Sequence, residues 1–216
     1  MRRRLFIQGA AGSLALTSRF SPARGRTQAP RGASGPPESV PRGKTLLVFF
    51  SRAGENYFNG GRKDLTVGNT EVVAGMVRDA LHCDVFQIEA VEPYPHSYDA
   101  TVQRNLREQN EAARPKIANL PASLGGYGTI LVGSPVWNVQ APRIMLSFAE
   151  RYDFTGKTIY PFTTFAMSGL GSVVDEYRAA FRGAKVGEAL AIRGEEAEGS
   201  RKELDGWLRR IGLVTA

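Results

Sequence analysis

Apolar residues along this chain fall into short continuous runs, separated by stretches in which they recur every third or fourth position. The first run, Thr45-Leu46-Leu47-Val48-Phe49-Phe50, is rich in strand formers and shows no alternation, so it reads as a strand buried on both faces. Further strands are predicted over Asp84–Ile88, Thr129–Gly133, Lys157–Thr163 and Lys185–Ile192. Between them the spacing predicts a helix over Asn69–Leu81, with Val72, Val73, Met76, Val77 and Ala80 on one face. Helices are also predicted over Ile144–Tyr152, Val173–Phe181 and Arg201–Ile211. Ser97–Ala113 reads as a polar, highly charged helix that stops before Arg114-Pro115. Strand and helix alternate five times, which predicts an α/β fold: an open, five-stranded parallel sheet with helices on both faces, in three layers. The alternation leaves the strand order open.

The first forty residues follow other rules. Met1-Arg2-Arg3-Arg4 leads into an apolar run from Leu5 to Leu16, too short to span a bilayer but suited to a signal-peptide core. The paired arginines before Leu5-Phe6-Ile7 resemble a twin-arginine export signal, and Ser21-Pro22-Ala23 offers small residues for cleavage after Ala23. Export out of a bacterial cytoplasm, to the periplasm or beyond, is therefore expected for residues 1–23. Residues 24–43, rich in Pro, Gly and Arg, hold too little apolar surface to offset the entropy of ordering and read as a disordered linker. The folded domain is expected over 44–216.

Charge changes the picture once its placement is considered. The chain has a formal net charge of +7. Residues 1–42 carry eight arginines against one acid, Glu38, whereas residues 43–216 hold 20 basic and 20 acidic residues. The folded part is neutral, so nucleic-acid binding loses its main support. No apolar stretch is long enough for an ordinary transmembrane helix. Cys83 is the only cysteine and reads as a small, half-buried filler.

Three loops follow the strands and carry the candidate chemistry. The first runs Ser51-Arg52-Ala53-Gly54-Glu55-Asn56-Tyr57 and resumes as Val67-Gly68-Asn69-Thr70 at a helix start. Unsatisfied backbone N–H groups and the helix dipole there suit a phosphate, although an ordinary cap at Asn69 or Thr70 explains the same residues. The second is Gly133-Ser134-Pro135-Val136-Trp137-Asn138-Val139-Gln140-Ala141-Pro142, whose Trp between two prolines either stacks on a planar ring or covers the sheet end. The third, Thr163-Thr164-Phe165-Ala166-Met167-Ser168-Gly169-Leu170-Gly171-Ser172, is Gly-rich and long for a plain connection. A phosphate nest, an aromatic wall and a polar backbone edge together suit a phosphorylated planar cofactor. Gly43-Lys44-Thr45 is no Walker loop, because it lacks the earlier glycine and precedes its strand.

At this point the residues resemble the flavodoxin-like family, in a subgroup with an insertion in its phosphate-binding loop. The likeness rests on Leu47–Tyr57 with Val67–Glu71, Pro93-Tyr94-Pro95, Tyr98-Asp99, Gly133–Trp137, Ala141-Pro142, Tyr152–Thr158 and Ser168–Gly171. It implies a flavodoxin-like three-layer sandwich, strand order 2-1-3-4-5, with FMN bound noncovalently. Ser51, Arg52, Ala53, Asn69 and Thr70 would then surround the phosphate. Pro135, Val136, Trp137 and Asn138 would flank the isoalloxazine. Thr163, Thr164, Phe165, Ser168, Gly169 and Gly171 would border its other edge. The sequence departs from the family at Ala53, where Thr is usual, at Asn138-Val139, and at Phe165–Met167. Each lost hydrogen bond costs about 1 kcal/mol.

The resemblance implies electron transfer, with a redox partner protein or a small acceptor on the other side of the exchange. Reduction of quinones or similar small acceptors, and a flavin-free binding module, are the other functions such a fold supports. Glu55 is a candidate carboxylate beside the ring. No catalytic triad and no metal site are expected, since His82 and His96 are the only histidines and neither lies in a ligand loop.

Overall fold

The computed structural model describes residues 44–215. The expected export signal and linker lie outside the described residues. Strand β1 (Lys44–Phe49) pairs in parallel with β4 (Asp84–Gln87) on one side and with β5 (Tyr127–Pro135) on the other. Next to β5 lies β6 (Thr158–Phe165), followed by two short pieces, β7 (Lys185–Val186) and β8 (Leu190–Arg193), which both pair with β6. Counting β7 and β8 as one broken fifth strand, the order is 2-1-3-4-5, as the resemblance implies.

Side-chain alternation explains why the central strands need no polar face. Leu46, Val48 and Phe50 enter one core with Ile130, Val132 and Ile159, whereas Leu47 and Phe49 enter the other with Leu131 and Phe162. Helices α3 (Arg143–Ala149) and α4 (Val173–Ala180) cover the first core through Ile144, Met145, Phe148 and Tyr177. Helices α1 (Asn69–Leu81) and α5 (Arg201–Arg210) cover the second through Val73, Val77, Leu204 and Trp207. Each fully buried large side chain contributes about 1.5–3 kcal/mol.

Two differences from the predicted elements have local causes. The fifth strand breaks at residues 187–189. There the Glu188 carbonyl accepts the Trp207 indole N–H at 3.2 Å, and Gly187 gives room to the Tyr160 ring. The second is a hairpin within the first loop, β2 (Gly54–Phe58) and β3 (Gly61–Leu65). Asn59 and Gly60 form its turn, both at positive φ (47° and 84°), as a tight hairpin turn requires. Helix α2 (Tyr98–Asn110) ends three residues earlier than expected, and its buried residues Thr101, Arg104, Asn105 and Glu108 are all polar. Among the described residues no helix is long and apolar enough to cross a membrane.

A Cβ at Gly133, in the middle of the sheet, would collide with the ring of the fully buried Phe162. Gly133→Ala is expected to destabilise the domain by about 1–3 kcal/mol, read as a lower urea midpoint with an unchanged slope.

Candidate functional site

A cavity of about 300 Å³ opens at the carboxyl ends of β1, β5 and β6. One pole is built from the end of β1 and the start of α1. The Ser51 hydroxyl accepts the Glu71 N–H at 3.1 Å, which leaves its own O–H free to donate into the cavity. Gly68 precedes α1 and brings no side-chain cap of its own, so beside the Glu71 N–H held by Ser51 the Asn69 and Thr70 N–H groups remain open to an anion. A Cβ at Gly68 would collide with Ser51 Oγ and lie 2.6 Å from the Arg52 carbonyl oxygen, so only glycine lets the loop close this tightly. Thr70 Oγ1 and Thr164 Oγ1 lie 2.7 Å apart and tie the helix start to the end of β6.

Arg52 lines the same pole but works mainly on the backbone. Its guanidinium donates to the Pro95 and His96 carbonyls, at 3.0 and 2.9 Å, and to the Glu55 carbonyl. Its Nε is buried without a partner, and burial lowers its pKa. Glu55 does not face the cavity as a free carboxylate: its Oε2 accepts the Tyr98 N–H at 2.9 Å and caps α2. The candidate role beside a ring therefore gives way to a capping role.

Helix α2 is tied at both ends. Arg62 of the hairpin stacks 3.7 Å over the Tyr98 ring and contacts Asp99. At the other end, Gln109 donates to the Trp137 carbonyl at 3.0 Å and accepts from the Asn138 amide at 2.8 Å. The helix thus bridges from the hairpin to the second loop and presents Tyr98, Thr101, Val102, Asn105 and Leu106 to the cavity. Beneath it, Arg104 and Glu108 form a buried ion pair at 2.7 Å, and Tyr94 donates to Glu108 at 2.9 Å.

The second loop supplies an aromatic wall. Trp137 packs edge-on against Tyr94 (5.0 Å between centroids) and Phe50 (5.5 Å), so it both covers the sheet end and lines the cavity. Trp137 and Gln140 exchange backbone hydrogen bonds across a turn whose central residues, Asn138 and Val139, both have positive φ (47° and 59°). Val139 is β-branched and strained in that region. Its carbonyl accepts from the Ser172 N–H at 2.7 Å and hydroxyl at 3.0 Å, and Gly171 lies so close that a Cβ would meet the Val139 carbonyl carbon at 2.7 Å.

Of the sequence-predicted residues, Ser51, Arg52, Asn69, Thr70, Pro135, Val136, Trp137, Asn138, Thr164 and Phe165 line one cavity. Ala53, Thr163, Ser168, Gly169 and Gly171 do not line it: Ala53 is exposed, and Thr163 is fully buried with an unpartnered hydroxyl. Sequence reasoning missed the hairpin pair Asn56 and Tyr57, the α2 stripe, and Gly194 with Glu195 after β8. The Asn59-Gly60 dipeptide signals the hairpin. Glu195 holds that turn through the Asn59 N–H at 3.0 Å, a pairing no local pattern encodes.

A family model described as Flavodoxin matches residues 64–211. A protein described as a flavoprotein from Bacteroides eggerthii superposes with a TM-score of 0.64 at 24% identity, over 80% of this chain and 99% of that one. Another from Bacteroides uniformis gives 0.59 at 26% identity, over 77% and 98%. A flavoprotein from Lactobacillus acidophilus, solved in complex with FMN, gives 0.55 at 17% identity, over 76% and 98%. No curated protein matches the chain.

Two predictions follow from the geometry around Trp137. Replacing Val139 by Gly relieves the positive-φ strain, and the melting temperature is expected to rise by about 2–4 °C, measured by circular dichroism. Burial, reinforced by Glu108, pushes the Tyr94 phenol far above its usual range, and burial does the same to Tyr177. Both hold their protons more tightly when folded, so their contribution is full below about pH 10 and lost as pH rises beyond it. Urea midpoints should be flat to about pH 9 and fall above pH 10, less steeply in Tyr94→Phe.

Proposed function

The chain belongs to the flavodoxin family, and on that premise we propose that it binds one FMN at the carboxyl edge of its sheet and transfers electrons outside the cytoplasm. The observation that carries this reading is one cavity with an anion-ready pole at one end and an aromatic, carboxamide-lined chamber at the other. The residues present fit the group. The open Asn69 and Thr70 N–H groups at the start of α1, the close approach allowed by Gly68, and the Ser51 and Thr70 hydroxyls suit a phosphate. Trp137, Val136 and Phe165 suit a flat ring.

Bound FMN supplies reversible one- and two-electron chemistry. The chain's part is to hold and orient. Ser51, Asn69 and Thr70 would grip the phosphate, while Trp137, held through its carbonyl by Gln109, would exclude water from one face of the ring. The neutral folded region gives little electrostatic steering, so partner choice falls to the shape of the cavity mouth. Export rests on the leader Met1–Ala23. A twin-arginine route moves folded proteins and lets the cytoplasm load the cofactor first. A second reading, reduction of quinones or similar small acceptors, is favoured by the partly exposed apolar side chains of Val102 and Leu106 at the cavity. Turnover with a nicotinamide and a quinone separates it from a pure electron carrier.

FMN titration followed by flavin fluorescence tests the site. The wild-type chain is expected to bind one equivalent, and Gly68→Ala to bind at least about tenfold more weakly. Equal affinity in the two proteins would remove the phosphate pole from the account.

A further inference from the structure

Helix α2 carries a stripe, Tyr98, Thr101, Val102, Asn105 and Leu106, at the spacing a helix uses to pack on a core. Here that stripe faces the cavity. Its neighbouring polar groups already have protein partners. Thr101 donates to the Pro95 and Ser97 carbonyls, Arg104 is held by Glu108 and the Pro93 carbonyl, and Gln109 holds the Trp137 loop. Asn105 differs: it is 3% exposed, yet its Oδ1 is buried without any partner. An unpaired buried carboxamide oxygen opposes folding, and a ligand donor would remove that cost.

Resting on the FMN reading, we infer that Asn105 is a ring-binding residue that reads the imide edge of the flavin. Its Oδ1 accepts the ring N–H, and its Nδ2 donates to a neighbouring ring carbonyl. A planar carboxamide matches an edge that alternates carbonyl and N–H, as Asn matches the paired donor and acceptor of adenine. Gln109, one turn further along, pins the Trp137 loop, so the group that reads the edge and the group that holds the stacking wall share one rigid helix. The ligand class is therefore a planar heterocycle with an imide edge, and the phosphate adds affinity at the other pole.

The test uses the full chain freed of flavin, titrated with riboflavin and with 3-methylriboflavin, whose ring N–H is blocked. The wild type is expected to prefer riboflavin by about tenfold or more. Asn105→Leu should lose most of that preference while the melting temperature of the flavin-free protein holds or rises. Asn105→Asp, nearly isosteric, keeps an acceptor oxygen and should keep the preference. Equal binding of the two ligands by the wild type, or an undiminished preference in Asn105→Leu, would overturn the role of Asn105 and leave the FMN reading standing. A lower melting temperature in both flavin-free variants, with the preference intact, would mark Asn105 as structural and overturn the role. A wild type that takes up no flavin of any kind would defeat the FMN reading itself, and this inference with it.

Discussion

Burial of β1 and β5 on both faces, held together by parallel pairing from Thr45↔Thr129 to Phe49↔Gly133, sets the position of everything at the carboxyl edge. Because both faces are closed by helices, these strands can open to a ligand only at their ends. The chain leaves β1 towards β4 on one side and leaves β5 towards β6 on the other. The connections part at that point and leave a crevice, where ligands of open α/β sheets bind. Phe50 donates to the Gly133 carbonyl at 3.0 Å, so Ser51 and the Trp137 loop emerge from a rigid base.

What closes that crevice is a polar structure. Helix α2 buries an ion pair and a carboxamide instead of an apolar stripe, and it is held through Glu55, Arg62 and Gln109 to the elements on either side. A buried pair such as Arg104–Glu108 gains little net stability after desolvation, but removing one partner leaves the other charge stranded. Both residues belong to α2, and their outward bonds, from Tyr94 to Glu108 and from Arg104 to the Pro93 carbonyl, fasten the buried side of the helix to the segment after β4.

The sheet and its helices were legible because hydrophobic periodicity reports double-sided burial directly: the Leu46–Phe50 run and the α1 stripe appear where they were expected. The hairpin was not, since its strands are mostly exposed and carry no apolar alternation, although Asn59-Gly60 signals its turn. The two outer loops stand out in the sequence through their Gly, Pro and Trp content and bring Trp137, Thr164 and Phe165 to the cavity, whereas Thr163 lies in the core and Gly171 packs against the Val139 turn. The α2 wall was hidden for a different reason. A buried Asn and a solvated Asn look alike in a charged helix, and only the fold shows that Asn105 lies against a cavity.

A crystal structure of the chain grown with FMN decides whether this cavity holds FMN end to end. The phosphate is expected against the first N–H groups of α1, beside Ser51 and Thr70, with the isoalloxazine between the Trp137 loop and α2. FMN bound elsewhere, or an empty cavity at saturating FMN, would overturn FMN binding at this edge of the sheet.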